Sequence, residues 1–404
     1  MSKVLYISYD GMTDQLGQSQ VIPYLAGLSA KGHQICILSA EKKKRFENNK
    51  DNIHKLLKDN NILWYPISYT SRPPVLSTIL DIIKLNIHAF KLHRKYKFDI
   101  IHCRSYISAF VGLKMKKKFN LKFIFDMRGF WADERIDGYI WNINNPFYKL
   151  IYNYFKSKEK QYLIAADHVV SLTEKAAVII LGWNLKVDLK ISVIPCCTDL
   201  DHFSADNINE KKVYEFISKL NIRPEDFILT YLGSIGTWYL IDEMLAFFKR
   251  LLPVKKNARF LFITKDQPEH IISKAKQLDI PKDKIIVIPS SREDLPSLLS
   301  LSNLGIFFIR KSFSKQASSP TKHGELLGMS IPIVANSGVG DLDTIISQTG
   351  SGLIVNELND NGYDEAISRI DNLLKVDKNI FRNTAIKYYS LENGVNLYNK
   401  IYSA

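Results

Sequence analysis

The sequence predicts an α/β protein built from two doubly wound parallel-sheet domains, and three observations predict it. The chain of 404 residues is too long for one ordinary domain and suits two. In both halves short β-branched runs alternate with longer amphipathic stretches, the pattern of parallel strands joined by helices. The polar stretch 199–212 has no apolar period and reads as a linker between the halves.

In the first half, strands are expected at 4–9, 34–39, 62–67, 100–103, 122–126, 168–172 and 192–195. Helical patterns lie between them, notably 19–31, 75–96, 109–117 and 145–165. The second half repeats the scheme, with strands at 227–232, 260–264, 285–288, 304–308, 333–335 and 352–354. Its helix 241–251 puts Ile241, Met244, Leu245, Phe248 and Leu251 on one face. No internal repeat or low-complexity tract stands out. Two such domains are expected to face each other across a cleft at the carboxyl ends of their sheets, where doubly wound folds bind ligands.

Composition bounds the function. With 46% hydrophobic and 24% charged residues, the chain can bury sizeable cores. Nothing reaches the roughly 18 apolar residues a membrane span needs. The first ten residues read as a strand rather than a secretory signal, so a cytoplasmic protein is expected. Cys36, Cys103 and the adjacent Cys196 and Cys197 show neither metal-ligand spacing nor a disulfide framework, and are expected to be reduced and mostly buried. The net charge of +14 is uneven: residues 1–200 carry 30 Lys/Arg against 17 Asp/Glu, the remainder 25 against 24. A basic first half points to an anionic partner, or is simply a solvated basic surface. The basic runs at 94–97 and 114–118, with Trp141, Phe147, Tyr148, Tyr152, Tyr154 and Phe155, fit contact with an anionic membrane surface on the inner face of the cell membrane. They fit a half-buried helix with a solvated face equally well. A nucleic-acid partner is not expected, because no such motif occurs and the basic residues are scattered.

The segment 318–334 carries the strongest chemical signal. Ser318 or Ser319 is expected to cap a helix whose first position is Pro320, followed by Thr321. A helix start offers unpaired N–H groups and partial positive charge to a diphosphate, and Lys322 adds a full charge. Glu325 shares the face of Lys322 and suits ribose hydroxyls; as structure alone, the two make an i,i+3 ion pair.

This segment resembles the signature of family 4 glycosyltransferases, whose GT-B architecture joins two Rossmann-like domains. The resemblance implies that Glu325 takes the second position of a Glu-x7-Glu pattern and Ser330-Ile331-Pro332 its following turn. The first Glu falls at Ala317, so half of the pattern is absent. Gly17 and Gln18, in Gln15-Leu-Gly-Gln-Ser-Gln20, resemble the loop that approaches the donor phosphate; Gly17 admits the backbone and Ser19 can cap the next helix. Gly233 and Ser234 resemble the family's second glycine loop, but no Arg or Lys follows between Gly233 and Lys249. Lys322 must then carry more of the charge, with Arg310, Lys311 or Lys315 nearby. The segments 166–173, 194–203 and 381–404 resemble the strand before the domain junction, the crossover, and the helix returning to the first domain. The resemblance therefore implies domains at 1–205 (acceptor side) and 206–380 (donor side), with 381–404 returning to the first.

Phe125-Asp-Met-Arg-Gly-Phe-Trp-Ala-Asp-Glu-Arg135 is similar to a segment from a bacterial surface-polysaccharide branch of the family. Asp126 and Arg128 suit sugar hydroxyls and phosphate charge. Glu134 suits an acceptor hydroxyl or a base, or else joins Asp133, Arg135 and Asp137 in a salt-bridged loop. His102 and Arg104 end the preceding strand on the acceptor side. The triplets Asp199-Leu-Asp201 and Asp341-Leu-Asp343 lack companion carboxylates, so neither a metal nor another cofactor is expected. The implied activity is a metal-independent, retaining transfer from a nucleotide diphosphate-sugar to a glycan or lipid-linked oligosaccharide, in lipopolysaccharide or capsule synthesis. A nucleotide-sugar 2-epimerase and a non-catalytic nucleotide-binding protein are the alternatives.

Overall fold

A computed structural model describes residues 1–73 and 75–404. The chain divides into two compact units: Met1–Pro195 with Leu391–Ala404, and Cys196–Ser390.

The first unit holds seven strands: β1 (Lys3–Ser8), β2 (Gln34–Glu41), β3 (Leu63–Ser68), β4 (Ile100–Arg104), β5 (Lys122–Asp126), β6 (His168–Ser171) and β7 (Ile191–Val193). They pair in parallel in the order β3-β2-β1-β4-β5-β6-β7. β1, β2 and β4 are almost wholly buried, which is why their sequences read as continuous apolar runs rather than alternating ones.

The second unit has β8 (Phe227–Leu232), β9 (Ala258–Ile263), β10 (Ile285–Ile288), β11 (Leu304–Phe307), β12 (Ile333–Asn336) and β13 (Gly352–Val355), all parallel, in the order β10-β9-β8-β11-β12-β13. Each of these strands overlaps one expected from the sequence. Both sheets therefore reverse direction of growth once, between β1 and β4 and between β8 and β11, and doubly wound folds bind ligands at that switch point.

The expected linker 199–212 is more ordered than its composition implied. It contains a 3-10 turn, Ala205–Asn207, and the start of the helix Glu210–Leu220, capped by Asn209, whose side chain accepts from the Lys212 N–H. The final helix, Leu391–Ser403, packs within the first unit. Its Tyr398 and Tyr402 are buried, and Val395 sits so close to Gly27 that a Cβ there would lie 2.6 Å from it. All four cysteines are buried thiols. Among the described residues, no helix is long and apolar enough to cross a membrane.

Candidate active site

On the first unit, strand register assembles the polar groups. Ser8, Arg104 and Asp126 are partners across β1, β4 and β5, so they stand side by side at the carboxyl ends of the strands around the switch point. Asp126 is buried and accepts a hydrogen bond from the Tyr398 hydroxyl at 3.0 Å. Its carboxylate lies 3.5 Å from His102 Nε2 and 4.0 Å from Arg128 Nη1. Burial opposes its charge, but Arg128, His102 and Arg104 outweigh that cost and hold the carboxyl below its usual range. Burial lowers the His102 pKa, and Asp126 only partly opposes it. Its Nδ1 shares a 2.7 Å hydrogen bond with the Tyr402 hydroxyl. Arg104, also buried, has its Nε 3.5 Å from Asp10 Oδ2 in the loop after β1.

Arg128 takes a left-handed φ of 56° and Gly129 one of 119°, so the chain turns sharply as it leaves β5. A non-glycine residue held there is strained, and such strain collects at functional sites. The following segment is a helix, Trp131–Asp137, rather than a salt-bridged loop. Asp133 bonds outward to Tyr152 (2.8 Å) and Lys156 (2.9 Å), while Glu134 remains half-buried on the same helix.

The loop before Gly17 is organised by Glu41, whose importance the sequence did not signal. Its buried carboxylate accepts from the backbone N–H groups of Met12 (2.7 Å) and Thr13 (3.1 Å) and from the hydroxyls of Thr13 (2.5 Å) and Ser39 (2.6 Å). Gly17 is required by this packing: a Cβ would lie 2.2 Å from the Gly11 carbonyl oxygen. Gln18 is exposed and donates to the Thr13 carbonyl at 3.2 Å. Ser19 does not cap the next helix. It lies inside the helix Gln15–Gln20 and donates back to the Gln15 carbonyl, as mid-helix serines do.

On the second unit, the helix Thr321–Gly328 starts one residue later than expected, with Pro320 at the cap position and no capping side chain. Ser319 is drawn away because its hydroxyl accepts the Cys196 N–H at 3.1 Å. The first turn thus keeps its N–H groups for another acceptor. The helix is seated firmly. A Cβ on Gly324 would meet Thr198 and Tyr389, and the Arg382 guanidinium donates to the carbonyls of Gly328 (2.6 Å), Leu200 (2.7 Å) and Phe203.

Lys322 is the unusual residue of this unit. It is buried, its ammonium has no hydrogen-bond partner, and it rests 3.4 Å from the ring centroid of Tyr239 and 4.1 Å from that of Tyr231. The expected ion pair with Glu325 does not form. Burial drives the Lys322 pKa well below the ordinary lysine value, with Glu325 only partly opposing. Gly233, at φ 107° directly after β8, faces this ammonium: a Cβ there would lie 3.3 Å from Nζ. Ser234 is exposed and its carbonyl accepts the Tyr231 hydroxyl at 2.6 Å, fixing the glycine turn. Glu325 is half-buried, and burial raises its pKa against the pull of Arg292 and Lys322. Arg310 follows β11, its N–H bonded to the Trp238 carbonyl at 2.9 Å, and Lys315 lies 3.6 Å from the Trp238 ring centroid. Ala317, where the first family Glu would stand, is buried in the 3-10 turn Ser314–Ala317.

Among the described residues, neither aspartate triplet is joined by further His, Cys, Asp or Glu side chains into a metal-binding group. Asp199 accepts the His202 N–H at 3.1 Å, and Asp343 the Gly338 N–H at 3.1 Å. Among the described residues no three His, Cys, Asp or Glu side chains come together as a metal site.

Two doubly wound units of matching strand order, each with polar groups at its switch point, define a GT-B protein. Comparison with solved structures agrees over essentially the whole chain. Sucrose-phosphate synthase from Thermosynechococcus elongatus matches with a TM-score of 0.73 at 15% identity, covering 100% of this chain and 98% of that one. HepE from Anabaena, in complex with UDP and glucose, matches with 0.71 at 10%, covering 100% of each. WaaG, a glycosyltransferase involved in lipopolysaccharide biosynthesis, matches with 0.68 at 12%, covering 98% and 99%. Residues 17–202 match the model of Glycosyltransferase Family 4. No curated protein sequence matches significantly.

Proposed function

We propose that the enzyme transfers a sugar from a nucleotide diphosphate-sugar to a glycan or lipid-linked glycan, with retention at the anomeric carbon and without a metal ion. The observation that carries the donor assignment is Lys322: a buried ammonium with no hydrogen-bond partner, walled by two tyrosine rings, beside Gly233 and in the open first turn of a helix. A buried cation with no hydrogen-bond partner is costly. A diphosphate would remove that cost while accepting the free N–H groups of Thr321 and Lys322. HepE, which shares the fold, was solved with UDP and glucose, and this supports the nucleotide-sugar reading.

In this reading Glu325 receives the ribose hydroxyls, and Gly233, Ser234, Arg310, Ser319, Pro320 and Thr321 line the nucleotide side. Gly17 and Gln18 shape the first-unit loop toward the phosphate. Asp126 and Arg128 hold sugar hydroxyls and phosphate charge, while His102, Arg104 and Glu134 form the acceptor side. As the bond between the anomeric carbon and the diphosphate oxygen breaks, Lys322 and the helix start stabilise the growing negative charge. The acceptor hydroxyl attacks from the leaving group's own face and passes its proton to the departing phosphate oxygen. The surface-polysaccharide context rests on the similarity of the segment 125–135 and on WaaG among the fold matches.

A thermal-shift screen of UDP, GDP, ADP, CMP and their sugars, on the wild type and Glu325→Ala, tests this directly. One nucleotide diphosphate should stabilise the wild type clearly and the variant much less. Silence toward all of them at millimolar concentration would sink the donor assignment. Incubating the protein with the matching nucleotide-sugar alone separates transferase from epimerase, since only an epimerase converts the donor without an acceptor.

A further inference from the structure

The helix Leu76–Tyr96 has two unlike faces. One packs on the first unit through Leu85, Ala89 and Leu92. On the other, Leu76, Ile79, Leu80, Ile83 and Ile87 recur at helical spacing, and all five are between 48% and 62% exposed. Single exposed leucines need no explanation, but a continuous stripe of five marks an interaction surface.

The stripe ends in positive charge. Lys91, Arg94 and Lys95 follow on the same helix and are exposed. Lys118, from the helix Ser105–Phe119, lies 5.2 Å from the ring centroid of Phe90, at the same end. Beyond that helix, Phe147, Leu150 and Tyr154 form a second exposed apolar row, joined to it by Tyr154 stacking on Phe110. Exposed branched and aromatic side chains next to lysines and arginines, on the half of the chain that holds nearly all the net charge, match an anionic bilayer surface.

The stripe is also tied to the polar mouth of its own unit. Asp81, fully buried between Leu80 and Ile83 in sequence, accepts the Tyr9 hydroxyl (3.1 Å), the Thr70 N–H (2.9 Å) and the Thr70 hydroxyl (2.7 Å). Tyr9 precedes Asp10, the carboxylate facing Arg104.

We infer that this face docks on a membrane rich in anionic lipid, the stripe of residues 76–87 entering the headgroup layer while Lys91, Arg94, Lys95 and Lys118 meet the phosphates. The inference rests on the proposed acceptor side only for its purpose, which is to present a lipid-anchored acceptor near Arg104. The docking itself stands on the surface alone.

Vesicle co-sedimentation of the full chain, without any sugar donor, is the test. The wild type should bind vesicles containing phosphatidylglycerol at least tenfold better than pure phosphatidylcholine, and 1 M salt should weaken binding by a similar factor, since screening then acts within about 3 Å. The variant Ile79→Ser/Ile83→Ser/Ile87→Ser should lose at least tenfold in binding, with an unchanged melting temperature and an unchanged nucleotide thermal shift. No binding by the wild type, or equal binding by the triple variant, overturns the inference. So does a wild-type dimer, seen by analytical ultracentrifugation, that the triple variant dissociates while vesicle binding is absent; the stripe would then be a self-association face. Failure of the nucleotide screen would leave the vesicle result unaffected, so the two readings fail separately.

Discussion

The two units share a strand order and differ in how they treat charge. At the switch point of the first unit opposite charges lie close together: Asp126 has the Tyr398 hydroxyl, His102 and Arg128 around it, and Arg104 has Asp10. At that of the second, Lys322 is buried over Tyr231 and Tyr239 with no hydrogen bond at all. The same topology thus supports a row of facing opposite charges in one unit and a buried cation without a hydrogen bond in the other. The first arrangement stabilises the fold as it stands. In the proposed reading the second is held for the donor diphosphate, since a buried charge without a hydrogen bond costs stability unless a ligand answers it.

Removing the two charges should therefore have opposite consequences. Lys322→Met should lower affinity for the stabilising nucleotide diphosphate by roughly a hundredfold or more, the loss expected when a buried charge-assisted contact is deleted. At the same time it should leave ligand-free stability unchanged or raise it, since an isolated buried charge is gone. Calorimetric titration together with urea denaturation reads both numbers, and a variant that is destabilised without ligand would erase the contrast between the units. Asp126→Ala should do the reverse. It removes the acceptor of the Tyr398 hydroxyl and the buried carboxylate facing Arg128, and should cost about 3 kcal/mol of stability in the first unit, measurable by the same denaturation.

A smaller effect sharpens the comparison through pH. His323 is fully buried next to Lys322, its Nδ1 bonded to the Tyr389 hydroxyl at 2.8 Å, and burial lowers its pKa to about 3. The unfolded chain protonates this ring near its ordinary value of about 6.5, whereas the folded chain does so only near 3. Stability should therefore fall as pH drops below about 6.5, by up to about 1.4 kcal/mol per pH unit. His323→Gln should flatten that slope in the second unit's unfolding curve, and an unchanged slope would assign the acid sensitivity elsewhere.

Much of this was legible in the sequence where short-range rules suffice. Strand runs such as 227–232 and 304–308 are apolar because both faces of a parallel strand are covered, and that can be read without coordinates. Helix 241–251 announces its buried face by spacing alone. Glu325, Lys322 and Gly233 stood out through motif resemblance. What local rules misjudged were side chains with a choice of partner. Ser319 has the chemistry of a cap but bonds Cys196, and Ser19 has the same chemistry but bonds backward within its own helix. Asp133 reads as part of a charged loop but is claimed by Tyr152 and Lys156 from the next helix.

By itself, then, the sequence determined two parallel α/β sheets, a resemblance to a glycosyltransferase signature and Lys322 as a candidate for the proposed donor segment. The tertiary structure decided which groups meet. Glu41 became the organiser of the first loop through residues 25 or more positions away, Tyr398 and Tyr402 reached Asp126 and His102 from the far end of the chain, and Tyr231 and Tyr239 enclosed Lys322. The physical reason is range. Periodicity, capping and backbone preferences act within a few residues and leave their mark in the sequence, whereas burial and pairing of a polar group depend on which distant side chains the fold brings within about 3 Å.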